Sequence, residues 1–341
     1  MNLEGVRNQA REMLAGVCQV CRICDGQACA GKVPGMGSRG TGAGFFNNTA
    51  ALAHFQLNMS ALHEAKNPDL SYDLFGHTLS FPIIAAPMCD TTNNLGGAVE
   101  EDKFIRDQFL GAKKAGSIAM AGDAPNPLLF EMGLRIIREL KGSGIAVIKP
   151  REQEEIFKRI RQAEEAGALA VSIDIDAAAF SNFYQANQVL EPKTAAQVKE
   201  ICRSTSLPVI IKGIMSGEDA FKVAEAGAQG IVVSNHGGRA LDHTPGTARV
   251  LPEIANLVKK NMKIFMDGGI RKGEDVLKAL ALGAEAVLVG RPLAIAAVGG
   301  GARGVELQLE QLAKELREAM ILTGCSKLKT IGPHILYGRP G

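Results

Sequence analysis

The chain has 341 residues, 46% of them hydrophobic and 22% charged, and a formal net charge of +2 at pH 7. This composition is typical of a globular protein with a large core, and the interspersed acidic and basic residues argue against nucleic acid as a partner. Met1–Met13 carries charges and no apolar stretch, and there is no apolar run of about 18 residues further along the chain. We therefore expect a cytoplasmic protein with no signal peptide and no membrane span.

The amino-terminal quarter of the chain lacks the alternation of short apolar runs and helix-periodic stretches that the rest of the chain shows. Asn2–Gly16 is predicted to be helical, Cys18–Gly44 is rich in cysteine and glycine, and Thr49–Ala65 is predicted to form a second helix. No linker separates this part from the remainder of the chain. We expect an extension at residues 1–75 that packs on a single domain at residues 76–341.

Four of the seven cysteines lie close together, with the spacing C-x2-C-x2-C-x4-C: Cys18, Cys21, Cys24 and Cys29. The first three match iron–sulfur spacing, but the last gap is one residue longer than in the common bacterial run and no proline comes after it. Four thiolates also suit zinc. A loop of reduced cysteines is the third interpretation, since an odd number of cysteines without a signal peptide argues against disulfides.

A glycine pattern, Gly35-Met36-Gly37-Ser38-Arg39-Gly40, matches the dinucleotide fingerprint G-x-G-x-x-G. No strand is predicted before it and no helix opens from it, so the fingerprint interpretation lacks its structural context. A flexible loop that caps the domain is the better interpretation.

From residue 82 onward, eight short apolar runs alternate with longer charged, helix-periodic stretches. Continuous apolar runs favour strands buried on both faces, and eight of them favour a closed (β/α)8 TIM barrel over an open doubly wound sheet. Glycines at four helix-to-strand junctions, Gly116, Gly167, Gly227 and Gly283, support a repeat. The runs are Pro82–Met88, Ser117–Gly122, Ile145–Lys149, Ala168–Asp174, Pro208–Lys212, Gly230–Asn235, Lys263–Asp267 and Ala286–Gly290.

Polar residues lie just after the predicted strands, where the active sites of such barrels form. His236, in the loop Ser234–Arg239, is a candidate base, and Arg239 can pair with a carboxylate. Lys212 ends its strand and would point into the same mouth. After the last two strands, Asp267-Gly268-Gly269-Ile270-Arg271 and Gly290-Arg291 supply backbone N–H groups and arginines for a phosphate.

Several motifs in order carry a family resemblance: FGHTLSFPIIAAPM, LPVIIKGIMSGEDA, SNHGGRALD, DGGIRKGEDVLKALALGAEAVLVGRP and REAMILTGCSKL. Together they resemble the FMN-dependent 2-hydroxy-acid oxidase and dehydrogenase family, which includes glycolate oxidase and lactate oxidase. The likeness spans residues 75 to 341. It implies a homo-oligomeric FMN enzyme that oxidises a 2-hydroxy acid, with O2 or a redox partner as the electron acceptor.

The resemblance also implies roles for individual residues. His236 matches the catalytic base, Asp174 the carboxylate that orients the protonated histidine, and Arg239 the ligand of the substrate carboxylate. The remaining matches concern the cofactor. Pro87 and Met88 offer backbone contacts to the flavin ring, Lys212 faces its N1–C2=O edge, Ser234 touches it, and the ribityl phosphate side is held by Asp267, Gly268, Gly269, Arg271, Gly290 and Arg291.

The chain departs from the family at the substrate. The family's tyrosine on the third strand, its amino-terminal Tyr-Tyr motif and a second arginine after the fourth strand are missing, and Lys149 ends the third strand. Lys149 is then the expected second cation for the substrate. Because lysine is a flexible point charge, we expect glycolate and lactate to be poor substrates and a larger anionic hydroxy compound to be preferred.

Two other functions share parts of this pattern. An FMN-dependent isomerase resembling type 2 isopentenyl diphosphate isomerase would use the same barrel and phosphate loops. A flavin-binding redox sensor or electron carrier would use the cysteine segment as its output. The histidine in the SNHGGR loop favours the oxidoreductase.

Overall fold

The computed structural model describes residues 1–338, and it confirms the closed parallel barrel. A short antiparallel hairpin, β1 and β2, precedes eight barrel strands that pair in the order β10-β3-β4-β5-β6-β7-β8-β9. The strands are β1 Tyr72–Leu74, β2 His77–Leu79, β3 Ile83–Ala85, β4 Ala119–Ala121, β5 Gly144–Ile148, β6 Ala170–Asp174, β7 Val209–Ile214, β8 Gly230–Val233, β9 Lys263–Met266 and β10 Ala286–Val289.

Helices come after every barrel strand and form the outer ring. Two helices of the amino-terminal extension come before the barrel, α1 Leu3–Met13 and α2 Ala43–His54. The helices after the barrel strands are α3 Thr91–Leu95, α4 Glu101–Lys114, α5 Pro127–Glu139, α6 Gln153–Glu165, α7 Ser181–Gln185, α8 Ala195–Arg203, α9 Gly217–Glu225, α10 Thr247–Val258, α11 Gly273–Ala281 and α12 Arg291–Leu322. Helix α12 is interrupted at Gly301. Short 3-10 turns lie at Gln27–Cys29, Ile175–Ala177, Leu328–Thr330 and Pro333–Ile335. None of the helices in residues 1–338 is long and apolar enough to cross a membrane.

The apolar runs form strands because both of their faces are buried. One face packs against the helices, and the other fills the barrel interior with side chains such as Val232, Phe265 and Leu288. All eight predicted strands are present. The four junction glycines all adopt positive φ, as a helix-ending turn before a strand requires.

The amino-terminal extension packs on the barrel. Helix α1 lies against α12 so closely that a Cβ on Gly299 would come within 2.0 Å of the Val6 carbonyl oxygen. The boundary expected at residue 75 falls in the turn of the β1–β2 hairpin. Tyr72, Leu74 and Leu79 of this hairpin join the apolar cluster inside the barrel.

The helix predicted at Thr49–Ala65 was wrong in its bounds, because α2 covers Ala43–His54. Beyond His54 the chain becomes extended and pairs with the carboxyl-terminal segment. The Asn58 N–H donates to the Ile335 carbonyl at 2.8 Å and the Ser60 N–H to the Leu322 carbonyl at 2.8 Å. These contacts across the fold prevail over local helix propensity.

Candidate active site

A cavity of about 300 Å³ lies at the carboxyl ends of the barrel strands. Every candidate site residue from the sequence except Ser234 and the four cysteines lines it. Ser234 lies just behind the lining, where its hydroxyl accepts a hydrogen bond from the His236 N–H at 3.0 Å. The structure therefore brings these candidates from seven of the eight strand ends to one place, and Gly122 and Asp123, after β4, line the same cavity.

His236 lines the cavity and faces two carboxylates. Its Nδ1 is 2.9 Å from Asp176 Oδ1 and 3.6 Å from Asp174 Oδ1. The closer carboxylate is therefore Asp176, on the 3-10 turn after β6, whereas the family resemblance points to Asp174. Burial, together with the ammonium of Lys212, holds the pKa of His236 well below its ordinary value. The imidazole is therefore neutral, as a base must be.

Asp174 lies between two lysines. Its carboxylate accepts hydrogen bonds from the Lys149 ammonium and, at 2.9 Å, from Lys212 Nζ. Burial alone would raise the pKa of Asp174, but the two ammonium groups outweigh it and keep the pKa well below the ordinary value. Burial raises the pKa of Asp176 to about 8. Asp174 is thus fixed as an anion, whereas Asp176 titrates at a pH of about 8.

Asp174, Asp176 and His236 also group as the ligands of a single metal ion would, with ligand atoms within 4.8 Å of one another. The charge that a metal would supply is already present, since Lys212 Nζ lies 2.9 Å from Asp174 and 4.0 Å from Asp176. The group is better explained as an acid–base cluster.

Three arginines of the strand-end loops, Arg239, Arg271 and Arg291, line the cavity, and their side chains have no carboxylate partner among residues 1–338. Arg239 donates to the Gly35 carbonyl and, at 2.8 Å, to Asn94 Oδ1. Arg291 donates to backbone carbonyls, that of Met36 at 2.8 Å among them. Because these partners are neutral, the positive charge remains available to an anion.

The arginines and Asp267 of this cavity have the charges and the free hydrogen-bonding atom that FMN would need. Burial, with Arg239 and Arg271 nearby, lowers the pKa of Arg291 to about 9, as expected where cations gather without a counterion. A phosphate dianion would supply that counterion. Asp267 Oδ1 is buried without a hydrogen-bond partner and suits a hydroxyl of the ribityl chain. The residues present fit the cofactor.

Two residues that shape the cavity, Phe180 and Asn94, were not predicted from the sequence. The Phe180 ring packs edge-on against His236 with a centroid separation of 4.7 Å, and Lys149 Nζ lies 5.1 Å from the same ring. Asn94 binds Arg239 from the loop after β3. Neither residue belongs to a recognisable motif. The only feature of the sequence that points to Phe180 is that it is an aromatic residue in the loop after a strand that ends in an aspartate.

The glycine pattern at residues 35–40 comes after a 3-10 turn and not a strand, in agreement with the rejection of a dinucleotide fingerprint. Gly35, Met36, Arg39 and Gly40 line the cavity, and the Arg39 N–H donates to the Gly238 carbonyl at 3.0 Å. The segment thus forms a cover over the mouth.

The four clustered cysteines line a second cavity, of about 460 Å³. All four are free thiols and partly buried. Arg291 and Met36 line this cavity as well as the first one, so the two cavities share a wall.

A (β/α)8 barrel with an arginine-rich anion pocket and a buried base at its carboxyl-terminal rim belongs to the class of cofactor-dependent barrel enzymes. The family model described as FMN-dependent dehydrogenase matches residues 36–189 and 182–338. The chain belongs to this family and is an FMN-dependent oxidoreductase.

Individual relatives are similar to this protein over most of its length. 2-Hydroxyacid oxidase 1 of Homo sapiens is 32% identical to this protein, in an alignment that covers 86% of this chain and 88% of the human protein. 4-Hydroxymandelate oxidase of Amycolatopsis orientalis is 33% identical, covering 86% and 89%. A crystal structure of mandelate oxidase superposes with a TM-score of 0.81 at 30% identity, covering 98% of this chain and 97% of that one.

Proposed function

We propose that this enzyme oxidises a 2-hydroxy acid to the 2-oxo acid, with His236 as the base. The observation that carries the proposal is the His236–Asp176 hydrogen bond of 2.9 Å, in the same cavity as an Arg239 guanidinium whose hydrogen-bond partners are neutral. A neutral imidazole can take the hydroxyl proton while a guanidinium holds the carboxylate. The named relatives act on compounds of this class.

Each residue then has a defined task. Arg239 and Lys149 bind the substrate carboxylate from two sides of the cavity. His236 removes the hydroxyl proton, and Asp176 and Asp174 stabilise the imidazolium that results. FMN, when bound, supplies the acceptor for the hydride from the substrate carbon, at flavin N5. Lys212 stays charged because Asp174 outweighs the effect of its burial and raises its pKa.

For the cofactor, we propose that Pro87, Met88, Lys212 and Ser234 contact the flavin ring. The phosphate side is held by Asp267, Gly268, Gly269, Arg271, Gly290 and Arg291. Gly268 and Gly269 have φ values of 88° and 82°, a conformation that brings backbone N–H groups close to an anion.

The remaining features are proposals of the same kind. The extension at residues 1–75 and the barrel at residues 76–341, of which 339–341 lie outside the described residues, fold as one unit in a cytoplasmic homo-oligomer. The electron acceptor is O2 or a redox partner. The four clustered cysteines bind iron, as an iron–sulfur cluster, or zinc.

The test is to incubate the FMN-loaded enzyme with a panel of 2-hydroxy acids and a dye acceptor and to quantify 2-oxo acid. We expect one 2-oxo acid for each pair of electrons passed to the dye, and a loss of about 10- to 100-fold in apparent substrate affinity in Arg239→Met, the scale of a charged hydrogen bond. Oxidation of 3-hydroxy acids alone, or unchanged affinity in Arg239→Met, would contradict the proposal.

A further inference from the structure

The cysteine cavity has a structure that the proposed oxidation does not explain. Cys18, Cys21, Cys24 and Cys29 come from one short segment between α1 and α2, yet all four line a single cavity of about 460 Å³. In an unstructured loop of reduced thiols, nothing would turn four side chains toward one space. Their convergence indicates a ligand in the cavity.

Side chains from other elements fix the backbone of this segment. Arg7 Nη2, from α1, donates to the Cys21 carbonyl at 2.7 Å, and Arg11 Nη2 donates to the Val20 carbonyl at 3.2 Å. From the barrel, Arg271 Nε donates to the Cys24 carbonyl at 3.0 Å. The cysteines are therefore held in place by the fold, as ligands of a cofactor need to be.

The sulfur atoms are spaced more widely than four ligands of one zinc ion would be. Four thiolates around one zinc would lie about 3.8 Å apart, given tetrahedral Zn–S bonds of about 2.3 Å. In residues 1–338, no three of these sulfurs lie within 4.8 Å of one another. A four-iron cluster needs the wider arrangement, because each cysteine binds a different iron at the corner of a cube.

The surroundings also suit a cluster. The Val20 N–H donates to Cys18 Sγ at 3.4 Å, and Arg271 Nη2 donates to Cys24 Sγ at 3.6 Å. Hydrogen bonds to the sulfurs are among the features that set the potentials of such clusters. Arg291 adds a positive charge from the cavity wall, which favours a ligand of net negative charge.

We propose that the four cysteines hold a four-iron, four-sulfide cluster that carries electrons away from the FMN site. This role rests on the proposed function, since the electrons come from the hydroxy acid. The wall of Met36 and Arg291, which both cavities share, is the route between them. Arg22 and Ile23, between Cys21 and Cys24 in the chain, are exposed, and there a one-electron carrier protein can approach.

The electron balance is complete with that carrier. Each hydroxy acid loses two electrons and two protons when its C–H and O–H bonds break and the C=O double bond forms. The electrons cross the shared wall one at a time and reduce two molecules of the carrier, while both protons leave to water, one of them from His236. The enzyme would then act as a dehydrogenase, with the cluster in place of direct reaction with O2.

The direct test is the anaerobically purified full-length protein. We expect about four irons and about four acid-labile sulfides per chain, an electron paramagnetic resonance signal after reduction, and about three electron equivalents for full reduction, two for FMN and one for the cluster. Zinc without sulfide, or protein that is free of metal after anaerobic purification, would overturn the proposal.

Matched variants locate the cluster. Cys24→Ser should remove iron and sulfide and reduce the requirement to about two electron equivalents. Cys202→Ser, which changes a partly buried cysteine on α8, should keep both. Equal iron in the two variants would overturn the assignment. If the cluster is present but no hydroxy acid bleaches the flavin, the proposed function fails and the metal site stands.

Discussion

His236 and Asp176 share a hydrogen bond of 2.9 Å, so the protonation of one decides what the other can do. Below a pH of about 8 the Asp176 carboxyl keeps its proton, because burial raises its pKa to about 8. Above that pH the carboxylate accepts the Nδ1–H of His236 and leaves Nε2 free to act as the base. The rate of flavin reduction by substrate should therefore rise with pH through about 8.

Stopped-flow measurements of anaerobic flavin bleaching across pH test this expectation. In Asp176→Asn the rate should fall and the rise near pH 8 should disappear, since the titrating carboxyl is gone. A wild-type profile that is flat, or that falls with rising pH, would contradict the assignment of Asp176 as the partner of the base.

Lys149 is the residue on which substrate preference depends. Its ammonium contacts Asp174 and faces Phe180, and no tyrosine accompanies it in the cavity lining among residues 1–338. We expect a 2-hydroxy acid with an aromatic side chain to reduce the flavin faster than glycolate or lactate, because Phe180 offers an apolar surface. Lys149→Ala should weaken binding of the acids by about 10- to 100-fold, the scale of a charged hydrogen bond.

The comparison uses the same panel of acids in Lys149→Ala and in Lys222→Ala, which removes an exposed lysine on α9. Fast lactate turnover that is unaffected by loss of Lys149 would show that one arginine is sufficient for the carboxylate.

At the scale of elements, the loop after β8 is locked against α2. Gly238 has a φ of 81°, and a Cβ there would lie 2.3 Å from the Phe45 backbone nitrogen. Gly76, in the hairpin turn, has a φ of 83° and nothing within 4 Å. Alanine at either position carries a similar backbone strain of about 1–3 kcal/mol, but only at Gly238 does it also displace α2.

Gly238→Ala should therefore lower the melting temperature more than Gly76→Ala and should also weaken FMN retention. Thermal unfolding followed by circular dichroism, and flavin content after dialysis, give the two measurements. Equal losses of melting temperature and of bound FMN in the two variants would mean that the contact between α2 and the loop contributes little.

The same elements show what could be predicted from sequence. The barrel strands were predictable, because burial on both faces gives each one a continuous apolar run. The end of α2 was not, because residues after His54 pair with Ile335 and Leu322, far along the chain. The pairing of Asp176 with His236 was not predictable either, because it depends on the turn Ile175–Ala177, which brings a second carboxylate back toward His236.

On the scale of the whole molecule, the extension and the barrel share their contacts. Residues 35–40 cover the mouth, α1 packs on α12, and the hairpin packs on the apolar cluster inside the barrel. Motifs predicted the cofactor because the phosphate loops are local in sequence. They could not predict the shared wall of Met36 and Arg291, which joins residues 255 positions apart.

The central claim is that His236 takes a proton from a 2-hydroxy acid while the flavin is reduced. Single-turnover, anaerobic flavin reduction in His236→Ala tests it, beside His243→Ala, which changes an exposed histidine with nearly the same φ, 60° against 58°. We expect both variants to retain FMN, His243→Ala to keep the wild-type rate, and His236→Ala to be slower by about 100-fold or more. Equal rates in the two variants, or no bleaching of the wild-type flavin by any 2-hydroxy acid, would contradict the claim.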